Sequence, residues 1–233
     1  MRASGSASRT PQRWCDDRRA DPAGRGPRAW WVPPRRSVRV DEVCPYPGGV
    51  LVIRADLVAE IVAHARAEQV AGATGGQPGF EACGMVAGPE GSERPERHVP
   101  MVNVATTWSE PRVVKGRPRT ARTYFDFVVA EKIAAFREMD SRDEWPVVTY
   151  HSHSHTHAYP SDVDVDIMSG PLTDPRIHWV VVSTRDEAVP TVPGGHEFRS
   201  FRIVDGAVVE EQVEVVETYM FAHTGADDVP DHS

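Results

Sequence analysis

Short apolar runs bounded by Gly, Pro and charged residues recur between residues 49 and 217, and each has the length of one strand. Five of them predict strands: GVLVI (49–53), EACGMVAG (81–88), RHVPMVNVA (97–105), WPVVTYHSH (145–153) and IHWVVVST (177–184). Two more runs, EFRSFRIV (197–204) and AVVEEQVEVVE (207–217), flank the dipeptide Asp205-Gly206, which favours a hairpin.

Helical periodicity marks three other segments. Residues 54–70 place apolar side chains on one face of a predicted helix, namely Leu57, Ile61, Val62 and Ala65. Residues 128–140 predict a second helix and residues 161–170 a short third one, whereas 106–122 predicts an irregular insertion. Because strands and helices do not alternate strictly, the pattern favours a mixed-sheet α/β (α+β) domain over a doubly wound one.

The two ends of the chain differ from this patterned region. Residues 1–40 carry ten arginines, no lysine and three aspartates, a charge of +7 within a chain whose net charge is -8. This segment is rich in Pro, Gly and Ser and has no strand or helix period, which is typical of disorder. The sequence therefore predicts a basic, disordered extension over 1–47, one domain over 48–220 and a flexible tail over 221–233.

Charge and composition also bear on partners and location. A nucleic-acid-binding role for the basic extension is disfavoured because the acidic remainder of the chain would repel phosphate. The sequence contains neither a long apolar segment that predicts a membrane span nor a secretory signal, so a cytoplasmic protein with no membrane partner is expected. Cys15, Cys44 and Cys83 match no disulfide or zinc spacing, which agrees with a reducing compartment.

Candidate chemistry is concentrated in YHSHSHTHAYPSDVD, residues 150–164. His151 and His153 leave the same face of the predicted strand about 7 Å apart, so both imidazoles can bind one metal ion. A catalytic zinc site takes three protein ligands and leaves one position open, and Asp164 is the natural third ligand. Glu81 is a candidate general base, because an acid at the start of an apolar strand is costly without a partner.

Glu81, His151-x-His153, seven residues, Ser161, two residues and Asp164 together reproduce the spacing of the JAMM (MPN-plus) metallopeptidase motif. Over roughly residues 49–218 the chain resembles that family, and in particular its actinobacterial branch. The resemblance implies a cytidine-deaminase-like MPN/JAMM domain with flanking helices. It also implies Zn²⁺ held by His151, His153 and Asp164, with Glu81 as the proton acceptor and Ser161 as the group that stabilises the oxyanion.

Members of that branch act on ubiquitin-like sulfur-carrier proteins and release cysteine from their carboxy-terminal Gly-Gly, as in cysteine biosynthesis. The resemblance therefore implies a zinc isopeptidase with such a carrier as its partner. Two alternatives stay open: a processing peptidase that trims a carrier precursor for secondary-metabolite sulfur incorporation, and a non-catalytic MPN scaffold. A homodimer is also left open.

Several residues keep two interpretations at this point. Ser161-x-x-Asp164 is also the pattern of a helix N-cap followed by an acidic first turn. His155 and His157, where the chain departs from its relatives, are expected to be exposed, and Cys83 to be buried. The basic residues of the 106–122 insertion either meet an acidic carrier or belong to a solvated loop.

Overall fold

The computed structural model describes residues 49–170 and 173–219. Its strands are β1 (Val50–Arg54), β2 (Cys83–Pro89), β3 (Arg97–Met101), β4 (Arg112–Val114), β5 (Arg117–Arg119), β6 (Glu144–His153), β7 (His178–Ser183), β8 (Glu197–Val204) and β9 (Ala207–Val216). Its α-helices are α1 (Ala55–Gly72), α2 (Val129–Asp140) and α3 (Asp162–Met168).

Within the described residues, seven strands form one mixed sheet in the order β1-β9-β8-β7-β6-β2-β3. The pairs β1–β9 and β6–β7 are parallel, and the other neighbours are antiparallel. The predicted mixed-sheet α+β class is thus confirmed. The predicted hairpin is confirmed as well, because β8 and β9 pair across Asp205 and Gly206, both of which have positive φ.

Both faces of the sheet are covered. The apolar side of α1 packs on one face, where alternate residues of the central strands such as Val148, Tyr150 and Val180 form the core. On the other face, α2 packs through Ala135 and Met139, while α3 contributes Met168. Since strand residues alternate between faces, Tyr150 and His151 on β6 enter opposite layers.

Two predicted segments differ from the structure. The predicted strand 97–105 ends at Met101, because the Asn103 side chain accepts a hydrogen bond from the Ala105 N–H and starts a 3₁₀ helix at Val104–Thr107. The predicted irregular insertion contains the hairpin β4–β5, which turns at Lys115 and Gly116, both with positive φ. Three-residue strands are too short to produce a recognisable alternation.

The predicted domain bounds, 48–220, stay a prediction. The predicted extension over 1–47 and the predicted tail over 221–233 lie outside the described residues. In the part of the chain that the structure covers, no helix is both long enough and apolar enough to span a membrane.

Candidate active site

The centre of the site is the carboxyl end of β6. His151 and His153 are buried and lie on the same face of this strand, and their Nε2 atoms are 3.1 Å apart. The strand is held on both sides, by antiparallel pairing with β2 and parallel pairing with β7, which runs alongside as far as His153. The predicted pair of imidazoles is therefore brought together on a rigid element.

Asp164 completes the group from the first turn of α3. A capping box forms there: the Ser161 N–H donates to Asp164 Oδ2 at 2.6 Å, and the Asp164 N–H donates to Ser161 Oγ at 3.4 Å. This arrangement holds Oδ2 at 3.5 Å from His151 Nε2 and 3.4 Å from His153 Nε2. The helix-cap interpretation of Ser161-x-x-Asp164 is confirmed, and the same cap directs the carboxylate to the histidines.

The triangle of Nε2, Nε2 and Oδ2 atoms has the size of a metal coordination face. Its edges are 3.1, 3.5 and 3.4 Å, and tetrahedral zinc with bonds of 2.0–2.1 Å places its ligand atoms about 3.3 Å apart. Nitrogen and carboxylate oxygen are also donors that suit zinc. The residues present therefore fit a metal ion.

The orientation of His153 is fixed from its far side. Its Nδ1 lies 2.8 Å from the carbonyl oxygen of His157 and 3.0 Å from Thr156 Oγ1. Because a carbonyl can only accept, His153 donates from Nδ1 to it, and in the neutral imidazole this leaves the Nε2 lone pair directed into the triangle. Hydrogen bonds of this kind set the tautomer of metal-binding histidines.

The electrostatics of the group favour an ionised carboxylate and shift the two imidazoles in opposite directions. Burial lowers the pKa of His151, and the ring of Phe125 stacks on this imidazole at 4.1 Å between centroids. For His153, burial acts to lower the pKa, but Asp164 and Glu81 outweigh it and raise this pKa above its usual value. Burial also acts against ionisation of Asp164, but the two histidines outweigh it and hold the pKa of Asp164 well below its usual range. The site therefore presents one negative charge beside two imidazoles, and a bound cation would require both imidazoles in the neutral form.

Glu81 lies just before β2 rather than within it, which corrects the predicted strand start at residue 81. Its N–H donates to the Ala121 carbonyl at 2.7 Å, and its own carbonyl accepts from Asn103 Nδ2 at 2.9 Å. The next residue, Ala82, pairs with Ser152, so the ladder continues to a position opposite His153. Glu81 thereby falls on the histidine face of the sheet, since residues two apart share a face.

The Glu81 side chain is 5% exposed. Burial raises the pKa of Glu81 to about 8, with His153 and Arg119 opposing this shift and Asp164 adding to it. A carboxylate poised near neutral pH beside the ligand triangle can accept and return a proton. Arg119 favours the ionised form of Glu81, and the Asn103 side chain donates a hydrogen bond to the Glu81 carbonyl. Neither residue was recognised from the sequence as part of the site.

Three further residues singled out in the sequence, His155, His157 and Cys83, differ in their burial and contacts. His155 and His157 are exposed, as predicted, yet the backbone carbonyl of His157 accepts a hydrogen bond from His153, a candidate metal ligand. No sequence signal could have identified it, because every residue carries a carbonyl. Cys83 is buried, as predicted, and packs with Met85 and Phe125.

Most residues of the insertion are exposed, and contact of its basic residues with an acidic carrier stays a prediction. Three of those basic residues nevertheless have partners within the protein. Lys115 donates to the Asp162 carbonyl at 2.7 Å and forms an ion pair with Asp166, while Arg119 lies 3.7 Å from Asp162. Arg122 donates to the carbonyls of Gly72 and Pro78. These cations attach the hairpin to α3 and to the segment after α1, so it forms one wall beside the site.

Comparison with known proteins agrees with this geometry. Residues 54–204 match the family described as prokaryotic homologs of the JAB domain. Curated proteins named CysO-cysteine peptidase, from Mycobacterium bovis and Mycobacterium tuberculosis, are 47% identical over 170 residues, which are 73% of this chain and 94% of each relative.

The solved structures that resemble this chain have lower sequence identity to it than these curated proteins. A solution structure from Desulfitobacterium hafniense has a TM-score of 0.49 at 22% identity and covers 72% of this chain and 94% of its own. A JAB1/MPN domain protein from Archaeoglobus fulgidus has a TM-score of 0.38 at 13% identity, with coverage of 72% and 98%.

Proposed function

The chain belongs to the family of prokaryotic homologs of the JAB domain, and from that premise we propose that it hydrolyses a sulfur-carrier protein–cysteine conjugate. In this reaction the bond after the carrier's carboxy-terminal Gly-Gly is cleaved and cysteine is released. The observation that carries the chemistry is the ligand triangle of His151, His153 and Asp164 with buried Glu81 beside it. The substrate follows from the 47% identity to proteins named CysO-cysteine peptidase.

Zinc is the metal that we propose for the triangle, because two imidazoles and one carboxylate at these separations match its geometry. When bound, it would supply Lewis acidity that polarises the scissile carbonyl and lowers the pKa of water. One carboxylate against a dication leaves net positive charge at the site. The same charge would oppose the raised pKa of Glu81 and favour the ionised form that a base requires.

Glu81 is proposed as the general base and then the general acid. Its carboxylate takes a proton from the attacking water and returns that proton to the amine of the departing cysteine. Burial supports this role, because a desolvated carboxylate has a higher proton affinity than one in water. The hydrogen bonds of its backbone to Ala121 and Asn103 keep the side chain on the histidine face.

Ser161 is proposed as a donor to the developing oxyanion. In the capping box its oxygen accepts from the Asp164 N–H, so the hydroxyl proton remains to be donated. Both interactions use different parts of one hydroxyl group. The helix cap and the catalytic role are therefore compatible.

The test uses the full chain, a carrier–cysteine conjugate and intact-mass measurement. The wild-type protein should contain about one zinc per chain and release cysteine. Glu81→Gln should keep its zinc and lose about 10²–10⁴-fold in rate, the usual contribution of a positioned acid–base group. Full activity of this variant, or absence of zinc from the wild type, would contradict the proposal.

A carrier precursor with extra residues after Gly-Gly serves as the competing substrate in the same assay. We expect cleavage of the cysteine conjugate to be faster. Preferred cleavage of the extended precursor would instead identify a processing peptidase with the same site.

A further inference from the structure

Glu197 is the first residue of β8, and its carboxylate is completely buried beside the loop that follows His153. We propose that Glu197 is a positioning residue for the metal site: it fixes the peptide group between His157 and Ala158, which in turn orients His153. This inference rests on the metal site of the proposed function. It assigns a role to a side chain that touches neither the metal ligands nor the substrate.

One peptide group forms the link. The N–H of Ala158 donates to Glu197 Oε1 at 3.2 Å, and the carbonyl oxygen of His157 accepts from His153 Nδ1 at 2.8 Å. These two atoms belong to the same planar trans peptide, in which N–H and C=O point in opposite directions. A carboxylate that holds the N–H therefore sets the direction in which the carbonyl faces.

The negative charge of Glu197 adds to this geometric effect. A charged acceptor at the N–H end polarises the peptide group and strengthens the hydrogen bond that its carbonyl receives. The charge is stabilised in a buried position by two arginines: Arg185, whose Nε lies 3.6 Å from Oε2, and Arg199, whose Nε lies 3.9 Å from Oε1. The carboxylate thus has enough polar neighbours to remain ionised.

The rest of the loop is held independently of Glu197. Ser183 Oγ donates to the Thr156 carbonyl at 2.7 Å, and the Thr184 N–H donates to the His153 carbonyl at 3.0 Å. The His157 carbonyl also accepts from the Tyr159 N–H at 2.8 Å. Substitution of Glu197 should therefore loosen the peptide between His157 and Ala158 at its N–H end, without detaching the loop from β7.

Glu211 on β9 provides a matched control. Its side chain is equally buried, and its Oε1 lies 2.6 Å from His178 Nδ1 and accepts from Ser200 Oγ at 2.6 Å. Like Glu197, it is a buried carboxylate beside an imidazole Nδ1 within the same sheet. The contacts of Glu211 involve neither the loop after β6 nor a metal ligand.

The experiment measures zinc affinity in the metal-free full chain by competition with a chromophoric chelator. Glu197→Ala should weaken zinc binding by about 10–100-fold, the usual effect of removing an outer hydrogen bond from a metal site. Glu197→Gln should show a smaller loss, because an amide oxygen can still accept from Ala158. Glu211→Gln should lower the melting temperature and leave zinc affinity within about twofold, since its contacts lie outside the site.

The visible spectrum of the Co²⁺-substituted protein gives a second measurement, and its absorption bands should shift in the Glu197 variants and not in Glu211→Gln. If Glu197→Ala does not fold, Glu197→Gln decides the question. Wild-type zinc affinity and an unchanged spectrum in the Glu197 variants, or an equal loss in Glu211→Gln, would overturn the inference. Failure of the wild type to bind zinc or to cleave the conjugate would contradict the proposed function instead.

Discussion

Tyr150 and His151 are neighbours on β6, and their side chains enter opposite layers of the molecule, each beside further imidazoles. On one face His151 meets His153 and Asp164. On the other face the hydroxyl of Tyr150 lies 2.7 Å from His64 Nδ1 and 2.7 Å from His98 Nε2. In each layer, two histidine side chains thus lie beside one shared oxygen atom, which belongs to Asp164 on one face and to Tyr150 on the other.

The two groups differ in the chemistry of the shared oxygen atom. A tyrosine hydroxyl donates one hydrogen bond and accepts others, so it can satisfy one imidazole as acceptor and the other as donor. The face with Asp164 has a carboxylate and two Nε2 atoms instead, and the carbonyl beside His153 Nδ1 favours the neutral tautomer with a lone pair on Nε2. Such a group could hold a cation, whereas the hydrogen bonds of the tyrosine group are satisfied without one.

The packing around Tyr150 agrees with a structural role. A Cβ on Gly84, the cross-strand partner of Tyr150, would overlap the tyrosine ring. Burial lowers the pKa of His64 and, with His64 adding to the effect, lowers the pKa of His98 to about 4. Convergence of imidazoles alone is therefore a weak indication of a metal site, and the added carboxylate is the informative part.

The largest expected effect comes from removing that carboxylate. Asp164→Asn should reduce zinc affinity by more than the roughly 100-fold that loss of an outer hydrogen bond costs, because a charged ligand is lost. The amide oxygen can still accept from the Ser161 N–H, so the helix cap should largely survive. Zinc titration of the metal-free protein measures the change.

Asp166→Asn is the control for this variant. Asp166 lies on the same helix, and its exposed carboxylate pairs with Lys115. Its loss should leave zinc affinity unchanged. Equal zinc binding by Asp164→Asn and the wild type would remove the distinction between the two faces of β6.

The group of His151, His153 and Asp164 can be predicted from the sequence better than the residues around it. Strand alternation predicts that the two histidines share a face, and the helix-start pattern predicts the position of Asp164, so each prediction depends on neighbouring residues alone. Glu197 lies 39 residues from Ala158 and acts on a backbone N–H, which carries no sequence signature. The meeting of His64 and His98 at Tyr150 likewise depends on the packing of α1 and β3 against β6.

The next largest expected effect is a loss of folding stability at acid pH that is caused by His98, beside the Tyr150 hydroxyl. The unfolded chain protonates His98 near its ordinary pKa of 6.5, whereas the folded protein does so near 4. Stability from this group is therefore complete above pH 6.5 and is lost as the pH falls towards 4. One pKa unit corresponds to about 1.4 kcal/mol, so the loss reaches at most about 3.5 kcal/mol.

Urea unfolding of the metal-free protein between pH 7 and pH 4 (roughly the window of this titration) measures that loss. The variant His98→Gln has no imidazole at this position and should lose less stability than the wild type over the same range. Parallel curves for the two proteins would show that His98 is protonated equally well in both states, contrary to its buried position.

The smallest expected effect is that of Tyr150→Phe, and it separates the two faces most directly. Removal of the hydroxyl leaves His64 Nδ1 and His98 Nε2 without the partner that they share. Loss of buried hydrogen bonds of this kind should lower the free energy of unfolding by about 1–2 kcal/mol. Zinc affinity should stay at the wild-type value, because the phenyl ring still fills the layer behind β6 and His151 keeps its place. A tenfold weaker affinity would mean that the tyrosine cluster supports the metal ligands through the strand, and the two faces would then form one functional unit.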